Sequence, residues 1–264
     1  MTVAGISYVA VRLGVFGAVL AAMMMAEAAS PRRRLRFARI IRWPSNIAMT
    51  VLSSVLTPLV VPVAAVAIAV VAQAHGWGIF NQVTLPGWVG ATLAVMLLDL
   101  AIYAQHRLFH AVPWLWRFHR MHHSDPDFDV TTALRFHPVE IWLSALVKLA
   151  AVGVIGASPL AVLIFEVVLN ATAMFNHSNT ALPRSLDRAL RLVLVTPDMH
   201  RVHHSVLARE TNSNFGFNLP WWDRLFGTYR AQPEAGHDGM AIGLGTFDAA
   251  HDQRLDRLLI QPVR

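Results

Sequence analysis

Three stretches of the chain, residues 3–29, 47–74 and 88–110, are apolar for more than twenty residues at a time. About 20 apolar residues are what an α-helix needs to cross the hydrocarbon core of a bilayer. No water is available there, so each backbone N–H and C=O must be satisfied within the segment, and that requires helix. The reading is an all-α integral membrane helical protein with about three full transmembrane helices. Composition agrees: 55% of residues are hydrophobic and 14% charged, against roughly 25% charged in an ordinary soluble domain. With most of its 264 residues in or beside apolar spans, the chain reads as one integral-membrane domain, 1–264. A fourth apolar stretch, 138–177, is interrupted by Gly153, Gly156, Ser158 and Pro159, which predicts two helices joined by a tight turn. Lys148 in the first arm is costly at the bilayer centre without a partner, which favours a shallow or re-entrant hairpin.

Lys and Arg in the loops set the orientation. Loop 30–46 carries Arg32, Arg33, Arg34, Arg36, Arg39 and Arg42, whereas loop 75–87 carries neither Lys nor Arg. The first loop is therefore expected in the cytosol, with the N-terminus outside and residues 111–137 and 178–264 inside. Ala26-Glu27-Ala28 resembles a signal-peptide cleavage site, but no Lys or Arg precedes Arg12, so the first run is read as a retained span. Residues 184–195 place Arg184, Asp187, Arg188 and Arg191 opposite Leu186, Leu190, Val193 and Leu194, a pattern for a helix lying on the membrane surface. The Gly-rich stretch 236–245 reads as a surface loop. The net charge of +6 sits beside apolar segments, where anionic lipid rather than nucleic acid is the natural partner. Arginine outnumbers lysine 21 to 1, a bias of GC-rich bacterial genomes, which points to a bacterial inner membrane.

Cysteine is absent, so disulfides, thiolate metal sites and iron–sulfur clusters within this chain are excluded. Histidine is abundant, and eight of the 13 fall into three short motifs. HRLFH places His106 and His110 at i and i+4, on one helical face. HRMHH (His119, His122, His123) and HRVHH (His200, His203, His204) each set three imidazoles on one turn. All lie at the predicted cytosolic side, and eight imidazoles exceed what one metal accepts, so a two-metal site is the economical reading. Neutral imidazole suits iron, zinc and copper. The flanking Arg120 and Arg201 are expected to favour the neutral form by like-charge repulsion.

Two stripes point toward these motifs. Asp99, Tyr103, His106 and His110 follow one face of the third span, and Glu166, Asn170 and His177 follow the arm returning to the cytosolic side. His177 is expected as a ligand. Asp99 stands too deep to share a metal with His106, so it is either an acceptor for an imidazole N–H or a polar anchor beside a substrate channel, and the first is favoured. Tyr103, Glu166 and Asn170 are candidates for metal or supporting contacts, as is His137, which opens a helix just before Pro138. His75, His237 and His251 read as plain surface residues, and Trp114 and Trp116 as interface anchors.

With these motifs assembled, the sequence resembles the fatty acid hydroxylase and sterol desaturase superfamily of membrane di-iron oxygenases. The resemblance rests on HRLFH, HRMHHSD, NHSN around His177, HRVHH and NFGFNLPWWDRLFGTY from Asn214 to Tyr229, and it covers roughly residues 95–230, read as the catalytic region. It implies that His106, His110, His119, His122, His123, His177, His200, His203 and His204 hold two irons beneath a cytosolic helical cap. One departure is Ala173, where some members carry a further histidine. It leaves water, His137 or a carboxylate to complete the shell of one iron. Trp222, Asp223 and Gly227 match a tail motif read as structural, closing the cap.

The chemistry expected is hydroxylation or desaturation of a C–H bond of a lipid (fatty acyl, sterol or related), with O2 as co-substrate, two external electrons and no protein nucleophile. The sequence has no cysteine for a cluster, no G-x-G-x-x-G for a flavin and no haem signature, so a separate electron-donor protein is implied, a ferredoxin with its reductase or a cytochrome. Two rival classes are a histidine-rich metal transporter, whose ligands belong near the membrane midplane on broken helices, and a haem-binding membrane protein, which needs fewer histidines. A zinc protease lacks support because HRLFH has no Glu of H-E-x-x-H.

Overall fold

A computed structural model describes residues 2–3 and 6–264. Its regular secondary structure is helical apart from a short ribbon pairing Thr2–Val3 with Ile6–Ser7 and two isolated bridges. Among the described residues five segments are long and apolar enough to cross a membrane: Tyr8–Ala29, Arg39–Asn81, Gly87–Ala111, Pro138–Ile155 and Pro159–Asn176. The protein is an integral membrane protein. Helix α1 is Tyr8–Ala29, with Ser7 accepting from the N–H of Ala10 as its N-cap.

The second expected span is two helices, α2 (Arg39–Val60) and α3 (Ala65–His75). Pro62 has no N–H to continue the ladder and disfavours helix at the residue before it, and Val61 leaves the helix at φ −123°. At its other end α2 starts at Arg39, inside what the sequence suggested was loop, because Arg42 is drawn into contacts described below and Asn46 donates to Asp125 and Thr131. Helix α4 (Gly87–Ala111) runs as expected to the first histidine motif, and α5 (Pro113–His123) follows after a one-residue break, with Pro113 at its first turn.

The predicted hairpin is α6 (Pro138–Ile155) and α7 (Pro159–Asn176). Its turn is stopped by Gly156 at φ 72° and restarted by Ser158, which caps the N–H of Ala161. Gly78 packs so closely on this turn that a Cβ there would lie 2.3 Å from the backbone nitrogen of Gly156, so neither position tolerates a side chain. Each arm has 18 residues, about 27 Å of helix. Lys148 does find a partner, pairing with Glu166 of α7, which also meets Tyr8 and Arg12 of α1. These side chains form a buried polar knot between the three helices. The apolar core joins Val66 and Ala69 of α3, Leu98 and Ile102 of α4, Val152 of α6, and Val162 and Phe165 of α7.

The cap is built from α5, a 3-10 turn at Val130–Leu134, and short helices α8 (Arg184–Leu190), α9 (Pro197–His203), α10 (Ala208–Thr211) and α11 (Trp221–Leu225). Helix α8 ends sooner than the 184–195 pattern suggests, leaving Leu192 and Val193 exposed beyond it. The stretch 236–245 is no simple surface loop, since His237 and Met240 are buried.

Charge is compensated inside the cap rather than excluded. The fully buried Arg42 guanidinium clasps Asp125 through two bonds of 2.6 and 2.8 Å and Asp129 through one of 2.7 Å. Arg135, also fully buried, donates to the carbonyl of Met121, to Ser124 and to Gln253. These bonds fix the segment after the second histidine motif to α2. Removing one partner of a buried pair typically costs about 3–5 kcal/mol because it strands the other charge. Arg42→Ala should therefore lower the yield of folded protein and its thermal transition in detergent by several degrees, while Arg34→Ala, at an exposed site, should leave both unchanged.

Candidate metal centre

Helices α4, α5, α7 and α9 bring nine imidazoles together at one end of the bundle. Two groups form whose ligand atoms lie within 4.8 Å of one another: His106, His110, His119, His123 and His203, and His122, His177, His200 and His204. The i, i+3, i+4 spacing explains the division. Each three-histidine motif gives one turn of helix two directions, so α5 sends His119 and His123 to the first group and His122 to the second, while α9 sends His203 to the first and His200 and His204 to the second.

The ring nitrogens decide what the groups can accept. Nδ1 of His106 lies 2.8 Å from the carbonyl of Phe215, and Nδ1 of His203 lies 2.7 Å from that of Ser213. A carbonyl can only accept, so both rings carry their proton on Nδ1 and a lone pair on Nε2. Those two Nε2 atoms stand 3.0 Å apart. In the second group Nδ1 of His177 donates to the carbonyl of Ala173, and its Nε2 lies 3.1 Å from those of His122 and His200. The lone pairs of His106 and His203 repel at this distance with no proton to share, and only a cation between them turns the contact favourable. Imidazole–metal bonds are about 2.0–2.1 Å, so donors at adjacent positions around one ion fall about 3 Å apart. The donor set therefore fits two first-row metal ions.

Burial, followed by the neighbouring imidazoles, holds His122, His123, His200, His203 and His204 well below the ordinary histidine range. Burial pushes His177 down to about 4. All are neutral near pH 7, as metal binding requires. The cause is not the one the sequence suggested. Arg120 is turned away to the carbonyls of Gln261 and Arg264, and Arg201 pairs with Asp198.

Side chains around the groups set ring orientation. Glu140 of α6 accepts from His119 Nδ1 at 2.7 Å. Asp223 accepts from the N–H groups of Phe215 and Gly216 and from Thr228. Asn214, between the carbonyls that hold His203 and His106, takes the left-handed φ of 52° that Asn tolerates better than most residues. Its amide is tied to the carbonyls of Met199 and Arg230. Aromatic rings close the centre: Phe136 stacks on His122 at 4.3 Å, Phe128 lies 5.0 Å from His204, and Trp116 lies 4.8 Å from His110.

The other predicted residues fall as follows. Asp99 meets no imidazole. It accepts from the N–H groups of Asn218 and Leu219 and from the Trp222 indole, pinning the cap tail to α4. Tyr103 bonds Thr228 at 2.8 Å. Glu166 belongs to the Lys148 knot, and Asn170 donates to the carbonyl of Glu166. His137 is a helix cap, its Nδ1 accepting from the N–H of Val139, and stands outside both groups. Ala173 gives only its carbonyl, and the group containing His177 is the smaller one. Trp114 is exposed, as expected of an interface residue, whereas Trp116 packs against the imidazoles of His110, His119 and His123. His75 and His251 are exposed, but His237 is buried against Asp198. Its short helix folds back onto α9, which the loop-like sequence concealed. Asp125 and Asn214 lie inside HRMHHSD and NFGFNLPWWDRLFGTY with no role apparent from the motif, and Glu140 and Asp129 stand outside these motifs.

The profile of the fatty acid hydroxylase family matches residues 91–228. The chain belongs to this family. Among curated relatives, it is 32% identical over 151 residues to the ornithine lipid hydroxylase OlsE of Rhizobium tropici, covering 57% of this chain and 44% of the relative. It is 32% identical over 166 residues to the alkylglycerol monooxygenase of Homo sapiens, covering 61% and 34%, and 31% identical over 148 residues to the cholesterol 25-hydroxylase of Rattus norvegicus, covering 54% and 47%. The aligned parts thus span less than half the length of these relatives. No solved structure matches significantly.

Two outcomes follow from the geometry. Glu140→Gln should weaken metal binding about 10- to 100-fold, read by metal analysis after graded chelator treatment, with folding retained. His237, held at about 4 chiefly by burial, stays neutral in the folded chain while its unfolded counterpart protonates below about 6.5. Its contribution to stability is therefore full above that value and lost as pH falls toward about 4. His237→Gln should flatten the drop in thermal midpoint between about pH 6.5 and 4.5, and an unchanged slope would count against this assignment.

Proposed function

We propose that the protein is a membrane-bound di-iron oxygenase that hydroxylates or desaturates a C–H bond of a lipid at the cytoplasmic face of a bacterial inner membrane. The observation that carries this reading is the pair of buried groups of neutral imidazoles with converging lone pairs, placed where an apolar helix bundle meets a polar cap. The names of the relatives, which act on ornithine lipid, alkylglycerol and cholesterol, support a lipid substrate and an oxygen-inserting reaction. The arginine-rich loop 30–46 supports the cytoplasmic placement.

His106, His110, His119, His123 and His203 would hold one iron and His122, His177, His200 and His204 the other. When bound, the pair would supply reductive activation of dioxygen to break an unactivated C–H bond. The chain's own part is positional. Phe215, Ser213, Ala173 and Glu140 fix the rings through Nδ1, so each Nε2 is aimed before metal arrives. Phe136, Phe128 and Trp116 keep water from the centre. The apolar bundle delivers an acyl or ring carbon from the bilayer. For hydroxylation, one C–H bond, one dioxygen, two electrons and two protons give one alcohol and one water, and a separate protein supplies the electrons. Transport fits less well because the histidines gather at one end of the bundle instead of at its midplane.

Purified protein should carry about two irons without haem absorption, and oxidise lipid in a reaction that needs dioxygen and reductant. His122→Ala and His203→Ala should each abolish turnover and lower bound iron while membrane insertion persists. Full turnover by either variant would sink the ligand assignment. Lipid profiling of a deletion strain, seeking one missing oxygenated or desaturated species, identifies the substrate.

A further inference from the structure

The reaction proposed above consumes electrons that this chain cannot store, so a carrier must come close to the imidazoles from the aqueous side. One open cleft on the cap is lined by Arg33, Arg34, Arg36, Asp127, Phe128 and Ile242. Its charge is unbalanced. Asp127 is the one acid among the lining residues, against three arginines, and it accepts from the backbone N–H groups of Arg36 and Phe37. Arg33 donates to the carbonyls of His237 and Met240 and so keeps its charge. Arg36 meets Asp248 at 2.8 Å, and Arg34 is exposed with no acidic partner among the described residues. At the inner wall the ring of Phe128 lies 5.6 Å from that of His177 and 5.0 Å from that of His204. A single aromatic side chain thus separates a basic, open surface from two imidazoles of the four-histidine group.

Resting on that reading of the centre, we infer that this cleft is the docking site of a small acidic one-electron carrier protein, which delivers the two electrons of each turnover in succession beside Phe128. Complementary charge raises the encounter rate and makes it fall with salt. The arginines that mark the loop as cytosolic then also select the donor.

The test uses the full chain in nanodiscs of the cell's own lipids, with a reduced plant-type [2Fe–2S] ferredoxin and its reductase as donor, and dithionite as a chemical reductant in parallel. Arg34→Glu should raise the KM for ferredoxin about tenfold at low salt, with iron content and dithionite-driven single turnover equal to wild type. Arg188→Glu, exposed but outside the cleft, should leave the ferredoxin KM unchanged. Equal ferredoxin KM values for wild type and Arg34→Glu, or no ferredoxin-driven oxidation by the wild type, would overturn the docking site. So would a response of Arg34→Glu only to the anionic-lipid content of the disc, which would make the cleft a seat for a lipid headgroup. Wild-type protein lacking iron or dithionite-driven turnover would instead overturn the di-iron reading on which the inference stands.

Discussion

Nitrogen lone pairs forced together in a dry interior are the constraint from which the structure of the cap follows. Nε2 atoms of His106 and His203 stand 3.0 Å apart with neither carrying a proton. Only a cation between them makes that contact favourable, and the surrounding structure holds the rings in position for one. It does so through the far side of each ring. Carbonyls of Phe215, Ser213 and Ala173 and the carboxylate of Glu140 take the Nδ1 protons. The segments bearing those acceptors are themselves anchored, by Asp223 and Asn214 in one case and by α6 and α7 in the others.

The same logic explains why a cap so rich in buried charge is tolerable. Arg42 is satisfied by Asp125 and Asp129, and Arg135 by carbonyl, hydroxyl and amide oxygens. Each network ties the segment after α5 to a different part of the chain, so α5 cannot rotate its three histidines without breaking charge-assisted bonds. Glu27, at the end of α1, adds a further tie by accepting from the N–H groups of Val130 and Asn179 at 2.6 and 2.7 Å. Polar groups in this cap act as fasteners for the imidazoles, and the desolvation of each is offset by a specific partner.

How much of this was legible in the sequence depends on the range of the interaction. The helices, the turn at Gly156 and the nine histidines could be read because length, punctuation and i, i+4 spacing are local properties. Contacts between distant segments could not. Asp99 shows a carboxylate in a span, but its partners lie about 120 residues away on the cap tail. Glu140 is three residues from His137, yet His137 caps a helix and Glu140 reaches His119, a partner 21 residues back in the chain. His237 sits among glycines, which signal a loop whether or not the loop folds inward. The break at Pro62 was readable in principle, but the continuous hydropathy of 47–74 masked it.

Chain order carries one more consequence. Both histidine groups draw on α5 and on α9, so one is complete only at residue 203 and the other at residue 204. The acceptors for His203 and His106 come later still, at residues 213 and 215, and Asp223, which fixes the second of them, follows. A nascent chain that has inserted its five apolar segments therefore has no finished pocket to fill. A centre completed this late in the chain would take its ion only once the cap tail has been made.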